Sequence, residues 1–453
     1  MIDYKNSNLK NKGNKRNVGL QTIVPTKEYL IPSVAVTHNL EIEEYPKILA
    51  LPHNVTSLIL ISAIIYYYGM SSQGSFEECS RNGVIGMILC VIVFGCTYLP
   101  DSVLRRPLPI LWRLVSSCAI AYLLFITFLF FQNKDNAREF LAVFDNKLGK
   151  PLPEKSYAEN CDLTTNKFPF INVENITGSV DMFVTAHLVG WYVKMLVVRD
   201  VKLCWFLSIT FEILEITFRH WLPNFWECWW DHVILDIFGM NALGIWLGDL
   251  TCKFFEMKNY TWINKIQPEE KGKRMIKKFL NYFTPNYYVR HEWDIFSSTK
   301  RFYSVLWFCV FSLLVDLSHF FGKFVLWLPA NHFLLAIRIY LWGLLAIVCA
   351  REYYEYITNK TCKRIGINVW LAHLILLVEW SIVLKFSDGI FSAPFPKYVL
   401  YFWSSVFLLI SAITIHLVIK DFLSKGKKDE TKIDLSEPKV EVEYINNCSN
   451  SEE

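Results

Sequence analysis

The chain alternates long apolar runs with short polar breaks. The runs cover about 54–70, 83–99, 110–132, 182–198, 201–218, 230–249, 303–322, 331–350, 368–386 and 397–419. Each approaches the roughly 20 mostly apolar residues that a membrane-spanning helix needs. The pattern predicts an all-α polytopic membrane protein with about ten transmembrane helices. Polar sequence flanks this block on both sides. Residues 1–46 carry Lys5, Lys10, Lys12, Lys15 and Arg16 among Asn, Gly and Ser, and 424–453 has the same character. Both read as solvated tails around a membrane catalytic domain at 47–423. The first 46 residues hold no apolar core, so no cleavable signal peptide is expected there.

Composition agrees. Of 453 residues, 53% are hydrophobic and 19% charged, against about a quarter charged in soluble proteins. The net charge of +4 is modest and implies no nucleic-acid partner. Its distribution says more. With ten spans both tails share one side of the membrane. That side also receives Arg105, Arg106, Arg199, Lys202, the basic loop 250–302 and the basic loop 351–367. The positive-inside rule then places both tails in the cytosol and the 133–181 loop on the lumenal side. Arg106 and Arg113 beside the third span read as anchors or as lipid-phosphate contacts.

Six cysteines, Cys90, Cys96, Cys118, Cys204, Cys309 and Cys349, fall inside the apolar runs and read as packing residues. Cys79, Cys161 and Cys228 fall on the lumenal side, where disulfides persist. A Cys79–Cys161 bridge across two loops is a candidate, set against two free thiols. The sequence holds no CxxC pair, so no zinc ribbon or thioredoxin-type site is indicated.

One stretch breaks the apolar rule. FEILEITFRHWLPNFWECWWDHVILD (211–236) carries Glu212, Glu215, Glu227, Asp231 and Asp236. An acid at a spanning-helix centre costs about 2.5–3.5 kcal/mol on insertion scales. Glu212 and Glu215 share a helical face by i,i+3 spacing, and Glu227 and Asp231 by i,i+4. At about 100° per residue, Asn241 returns near Glu227, while Asp236 lies nearly opposite it. Asp236 therefore needs a helix distortion, a partner helix or a separate role. Pro223 breaks the chain between the two halves.

Two readings of the acids stand. They are helix-end acids at the membrane surface, or they converge on a hard divalent cation such as Ca²⁺ or Mg²⁺. His220 and His232 read as interfacial histidines, with a metal-ligand role as the lesser alternative. His187 is a lone histidine in an apolar span, either a packing residue or a general base. Lys194, one heptad on, reads as snorkelling to the interface.

Several strings resemble a known family. AHLVGWYVKMLVVRD (186–200), LPNFWECWWDHVILD (222–236), NALGIWLG (241–248), KFVLWLP (323–329) and LGKPLPEKSYAENC (148–161) are similar to the base-exchange phosphatidylserine synthases of eukaryotes. The forms GWY.K, WWDH and KFVLW are closer to the ethanolamine-exchanging type. The resemblance covers about residues 50–420. It implies a multi-pass enzyme of the endoplasmic reticulum membrane. L-serine would replace the head group of phosphatidylethanolamine or phosphatidylcholine, with Ca²⁺ and no nucleotide. It marks His187, Glu212, Glu215, Asn224, Glu227, Asp231, Asp236 and Asn241. His187, Asp236 and Asn224 are expected to be catalytic; Glu212, Glu215, Glu227, Asp231 and Asn241 are expected to hold the metal. A homodimer is expected by the same precedent.

Two alternatives bound this reading. The DGxxAR…GxxxD…D string of CDP-alcohol phosphotransferases is missing, so a CDP-diacylglycerol donor is not expected. An ion- or proton-coupled transporter could use the acids as a relay, but transporters show internal repeats and the acidic hairpin occurs once.

Overall fold

A computed structural model describes residues 55–71, 74–104, 107–152, 161–162, 182–261, 290–359 and 361–433. The expected tails, 1–46 and most of 424–453, lie outside the described residues, as does Arg106. All ten apolar runs are helical. In chain order they are α1 (Val55–Ser71), α2 (Phe76–Tyr98), α3 (Pro109–Phe131), the short α4 (Lys134–Ala142), α5 (Met182–Val198) and α6 (Val201–Phe218). A π-helix (Asp231–Asn241) runs directly into α7 (Ala242–Thr261). Then follow α8 (Thr299–Val325), α9 (Phe333–Thr358), α10 (Ile367–Phe386) and α11 (Lys397–Ile433). No strand occurs among the described residues.

Seven of these helices are long and apolar enough to cross a membrane, the π-helix and α7 counting as one. α1 and α5 are 17 residues each, and α6 carries Lys202, Glu212 and Glu215. The outside of the bundle is apolar: Tyr66, Phe407 and Phe422 are 69%, 69% and 77% exposed. The inside holds charge. This inverts the soluble pattern, and the protein is a polytopic all-α membrane protein.

Local chemistry sets the ends. Ser75 and Glu78 form a reciprocal capping box at the start of α2. Asp200 accepts from the Leu203 N–H and starts α6. The α5–α6 connection is a single sharp corner at Arg199, φ +58°. Glu352 of α9 accepts from the N–H groups of Asn368 and Val369, capping α10 from a neighbouring helix.

The residues singled out in the sequence, His187, Glu212, Glu215, Asp231, Asp236 and Asn241, lie on α5, α6 and the π-helix. α3, α8, α9 and α10 pack behind them, and α1, α2 and α11 are peripheral. Two glycines fix the closest seam. A Cβ at Gly244 would lie 2.5 Å from the Leu188 carbonyl oxygen, and one at Gly248 would lie 2.6 Å from Met195 Cβ. Gly244 and Gly248 are one turn apart, so the backbones of α5 and α7 meet along a small-xxx-small stripe.

Behind the seam a polar network ties four helices. Arg338 of α9 donates to both Glu379 oxygens, at 2.9 and 2.7 Å, and to Ser318 of α8. Tyr122 of α3 and Trp342 also donate to Glu379. Lys194 of α5 does not snorkel: its ammonium lies 2.6 Å from Asp316 of α8. Arg113 is buried, at 4%, and its guanidinium is engaged by Asp101 and the Cys96 carbonyl. It serves to join α3 to the end of α2.

Candidate active site and metal centre

Glu212 and Glu215 sit on one face of α6, as their spacing requires, and are 2% and 3% exposed. Glu227 arrives differently. It precedes the first helical turn, which begins as Asp231 and His232 donate to the Cys228 carbonyl. The segment from Leu222 to Cys228, not helical spacing, carries its carboxylate inward. That segment is tied down by a Cys161–Cys228 disulfide, with Cα atoms 5.3 Å apart. The bridge corrects the candidate Cys79–Cys161 pairing. Cys79 lies in the first turn of α2, where its thiol donates to the Gly74 carbonyl. Cys161 is instead delivered to the residue beside Glu227.

The π-helix resolves the misfit of Asp236. Five residues in an α-helix turn about 140° past a full circle, so Asp231, Asp236 and Asn241 would point different ways. A π-helix closes i→i+5 hydrogen bonds and stacks residues five apart. Over its 11 residues it brings Asp236 close to the face of Asn241, and Asp231, Asp236 and Asn241 are all buried.

The acids converge on a residue read as interfacial from the sequence. His232 Nδ1 lies 3.0 Å from Glu212 Oε2, 3.4 Å from Glu215 Oε2 and 3.7 Å from Glu227 Oε2. His232 is 5% exposed. Its donor atom also clusters with Glu227 and Asp236, all within 4.8 Å. The sequence favours the interfacial reading over a ligand role, because both the π-helix and the pre-helical Glu227 set its surroundings.

A second arrangement adjoins the first. Asn241 Nδ2 donates to Glu212 Oε1 at 3.2 Å and to Ser208 Oγ at 3.0 Å. Its Oδ1 therefore faces His187 Nδ1, 3.1 Å away. An amide oxygen only accepts, so Nδ1 donates to it, which in the neutral ring leaves the lone pair on Nε2. Nε2 lies 3.9 Å from Asp236 Oδ1. The side chains of His187 and Glu227 are 18% and 22% exposed, whereas Glu212, Glu215 and Asp236 are buried. His187 and Glu227 form the part of the site open to an incoming molecule.

The structure thus brings together Glu212, Glu215, Glu227, Asp236, Asn241 and His187. Asp231 is buried at the start of the π-helix, near enough for its charge to act on Glu227 and Asp236, but outside the donor groups. Pro223–Phe225 forms a short 3-10 turn; the Asn224 side chain lies outside the described residues. Outside the spans, His220 packs among Trp221 and Phe395. Burial lowers its basicity.

The residues fit a divalent cation. Four carboxylates share a small, largely buried volume, and Glu215 Oε2 has no hydrogen-bond partner among the described residues. Carboxylate oxygen at that density around one imidazole is what a hard cation requires.

Sequence comparison agrees with this geometry. The family model described as "Phosphatidyl serine synthase" matches residues 107–387, which include every helix of the site. The chain is similar to "CDP-diacylglycerol--serine O-phosphatidyltransferase 2" of Oryza sativa subsp. japonica, 40% identical over 366 residues, 78% of this chain and 86% of the relative. It is also similar to "Phosphatidylserine synthase 2" of Danio rerio, 34% identical over 381 residues, 83% of this chain and 84% of the relative. The human "Phosphatidylserine synthase 2" is 35% identical over 359 residues, covering 78% of this chain and 73% of its own length. A family model matched over more than half of the chain, with relatives 34–40% identical over most of both chains, makes this chain a phosphatidyltransferase that belongs to the phosphatidyl serine synthase family.

Proposed function

We propose that the protein performs base exchange: L-serine displaces the head group of phosphatidylethanolamine, or of phosphatidylcholine, to give phosphatidylserine and a free amino alcohol. The observation that carries it is the pairing of His187 with the acid cluster through Asn241. His187 Nε2 accepts the serine hydroxyl proton as that oxygen attacks phosphorus. Asn241 holds the Nδ1–H, and Glu212 holds Asn241, so the ring keeps the required tautomer. The P–O bond to the head group breaks, and the same nitrogen returns the proton to the departing alkoxide. Glu212, Glu215 and Glu227, with Asp231 and Asp236 close by, would hold Ca²⁺, which when bound neutralises charge developing on the non-bridging phosphate oxygens. The site faces the lumen of the endoplasmic reticulum, with both tails cytosolic. The Cys161–Cys228 disulfide supports that orientation, because such bonds persist on the oxidising side. A homodimer completes the proposal.

A second reading has a specific observation behind it. The rice relative is named for a CDP-diacylglycerol donor, and the same base and acids could serve a CMP leaving group. Purified protein should be given labelled serine with defined phosphatidylethanolamine or with CDP-diacylglycerol, with and without EGTA. Ethanolamine released in step with phosphatidylserine, and lost in EGTA, supports base exchange. Product and CMP formed only from the nucleotide lipid would replace it.

A further inference from the structure

We infer that His232 is itself a ligand of the divalent cation, through Nδ1, so that the centre is a mixed nitrogen–oxygen site. This rests on the metal reading proposed above. Ligands about 2.1–2.4 Å from one ion stand roughly 3–4 Å from one another. The separations of His232 Nδ1 from Glu212, Glu215 and Glu227 oxygens, 3.0, 3.4 and 3.7 Å, have that spacing. Glu215 Oε2, on a side chain 3% exposed, makes no hydrogen bond among the described residues and points into the same space. A simple ion pair would be satisfied by one carboxylate; here one nitrogen is shared among three. His187 is differently placed, since its Nδ1 is spent on Asn241.

The donor set has a consequence for selectivity. Carboxylates alone suit Ca²⁺, Mg²⁺ and Mn²⁺, whereas an imidazole adds preference for transition-series ions. The centre should therefore accept Mn²⁺ in place of Ca²⁺ and hold it through a nitrogen that Ca²⁺ uses less.

The test uses full-length protein in nanodiscs, stripped with EDTA and loaded with Mn²⁺. Pulsed EPR should show modulation from a directly bound imidazole ¹⁴N. That signal should vanish in His232→Gln and survive in His187→Asn. Mn²⁺ affinity should fall about 10–100-fold in His232→Gln, and Ca²⁺ affinity by less, since Gln still offers an oxygen. Labelling the wild-type protein with ¹⁵N-histidine should change the modulation without any substitution, which covers the case of a variant that does not fold. Nitrogen modulation that persists in His232→Gln or is lost in His187→Asn, Mn²⁺ bound without nitrogen, or Ca²⁺ bound where Mn²⁺ is refused would each overturn the assignment while leaving the metal reading intact. Binding of neither ion would remove both.

Discussion

His187 and Asn241, on different helices, meet through a 3.1 Å contact between Nδ1 and Oδ1. The contact is possible because Gly244 and Gly248 let α7 lie directly on α5. It fixes which histidine nitrogen is free. His187→Ala should lose roughly 10²–10⁴-fold in turnover, the usual worth of acid–base catalysis, while Ca²⁺ still binds. His187→Asn should not recover it, since an amide accepts no proton at neutral pH. Near-wild-type turnover in His187→Asn, measured with melting temperature as a folding control, would end the assignment.

Glu212→Gln, Glu215→Gln and Glu227→Gln should each abolish serine exchange without preventing membrane insertion. They should also remove the rise in melting temperature that Ca²⁺ gives the wild type. Retention of that rise in all three variants would place the cation elsewhere. Full activity in saturating EGTA would dispense with it.

The disulfide should act on the metal centre because Cys228 adjoins Glu227. Cys161→Ser should raise the Ca²⁺ concentration needed for half-maximal activity and lower the melting temperature. On the chain-entropy account a loop of the observed 67-residue separation is worth up to about 4 kcal/mol. A variant that melts earlier with an unchanged Ca²⁺ midpoint would leave the bridge a structural staple alone.

The seam glycines separate cleanly from others. Gly244→Val should cost most of the activity, because its Cβ meets the backbone oxygen of Leu188. Gly322→Ala meets nothing within 4 Å and should be neutral or stabilising by up to about 1 kcal/mol, as Ala replaces Gly in a helix. Equal behaviour of the two variants in turnover and melting would show that α5 and α7 can separate without harm.

Arg338→Met should destabilise by about 3–5 kcal/mol, because it leaves Glu379 buried without its cation. Arg338→Met with Glu379→Gln should recover much of this. Melting in nanodiscs reads both, and no recovery in the double variant would assign the loss to packing.

Helix positions were legible because each is a long apolar run, a signal that depends on composition more than on context. Glu212 and Glu215 were legible because an i,i+3 pair in a straight α-helix shares a face. His187 stood out as a lone histidine in an apolar run; the placement of Asp236, Glu227 and His232 was not legible, for three physical reasons. Asp236 is aligned by i→i+5 winding, which no α-helical projection reproduces. Glu227 is placed by non-helical backbone pinned at Cys228, whose partner lies 67 residues away in sequence. The surroundings of His232 derive from both, so its own neighbours in sequence favoured an interfacial residue over a ligand. Lys194 was misread for a related reason: its partner Asp316 comes from a helix far along the chain.

The π-helix also makes this part of the chain sensitive to length. A chain shortened by one residue between Asp231 and Asn241 could rewind as an ordinary α-helix, keep its hydrogen bonds, and still span the membrane. Every amino acid of the site would be present, yet Asp236 would have rotated away from Asn241 and His187. Such a protein would fold, pass as a relative on composition, and be chemically silent. A one-residue gap here is thus a better marker of a lost activity than a conservative exchange at any single acid.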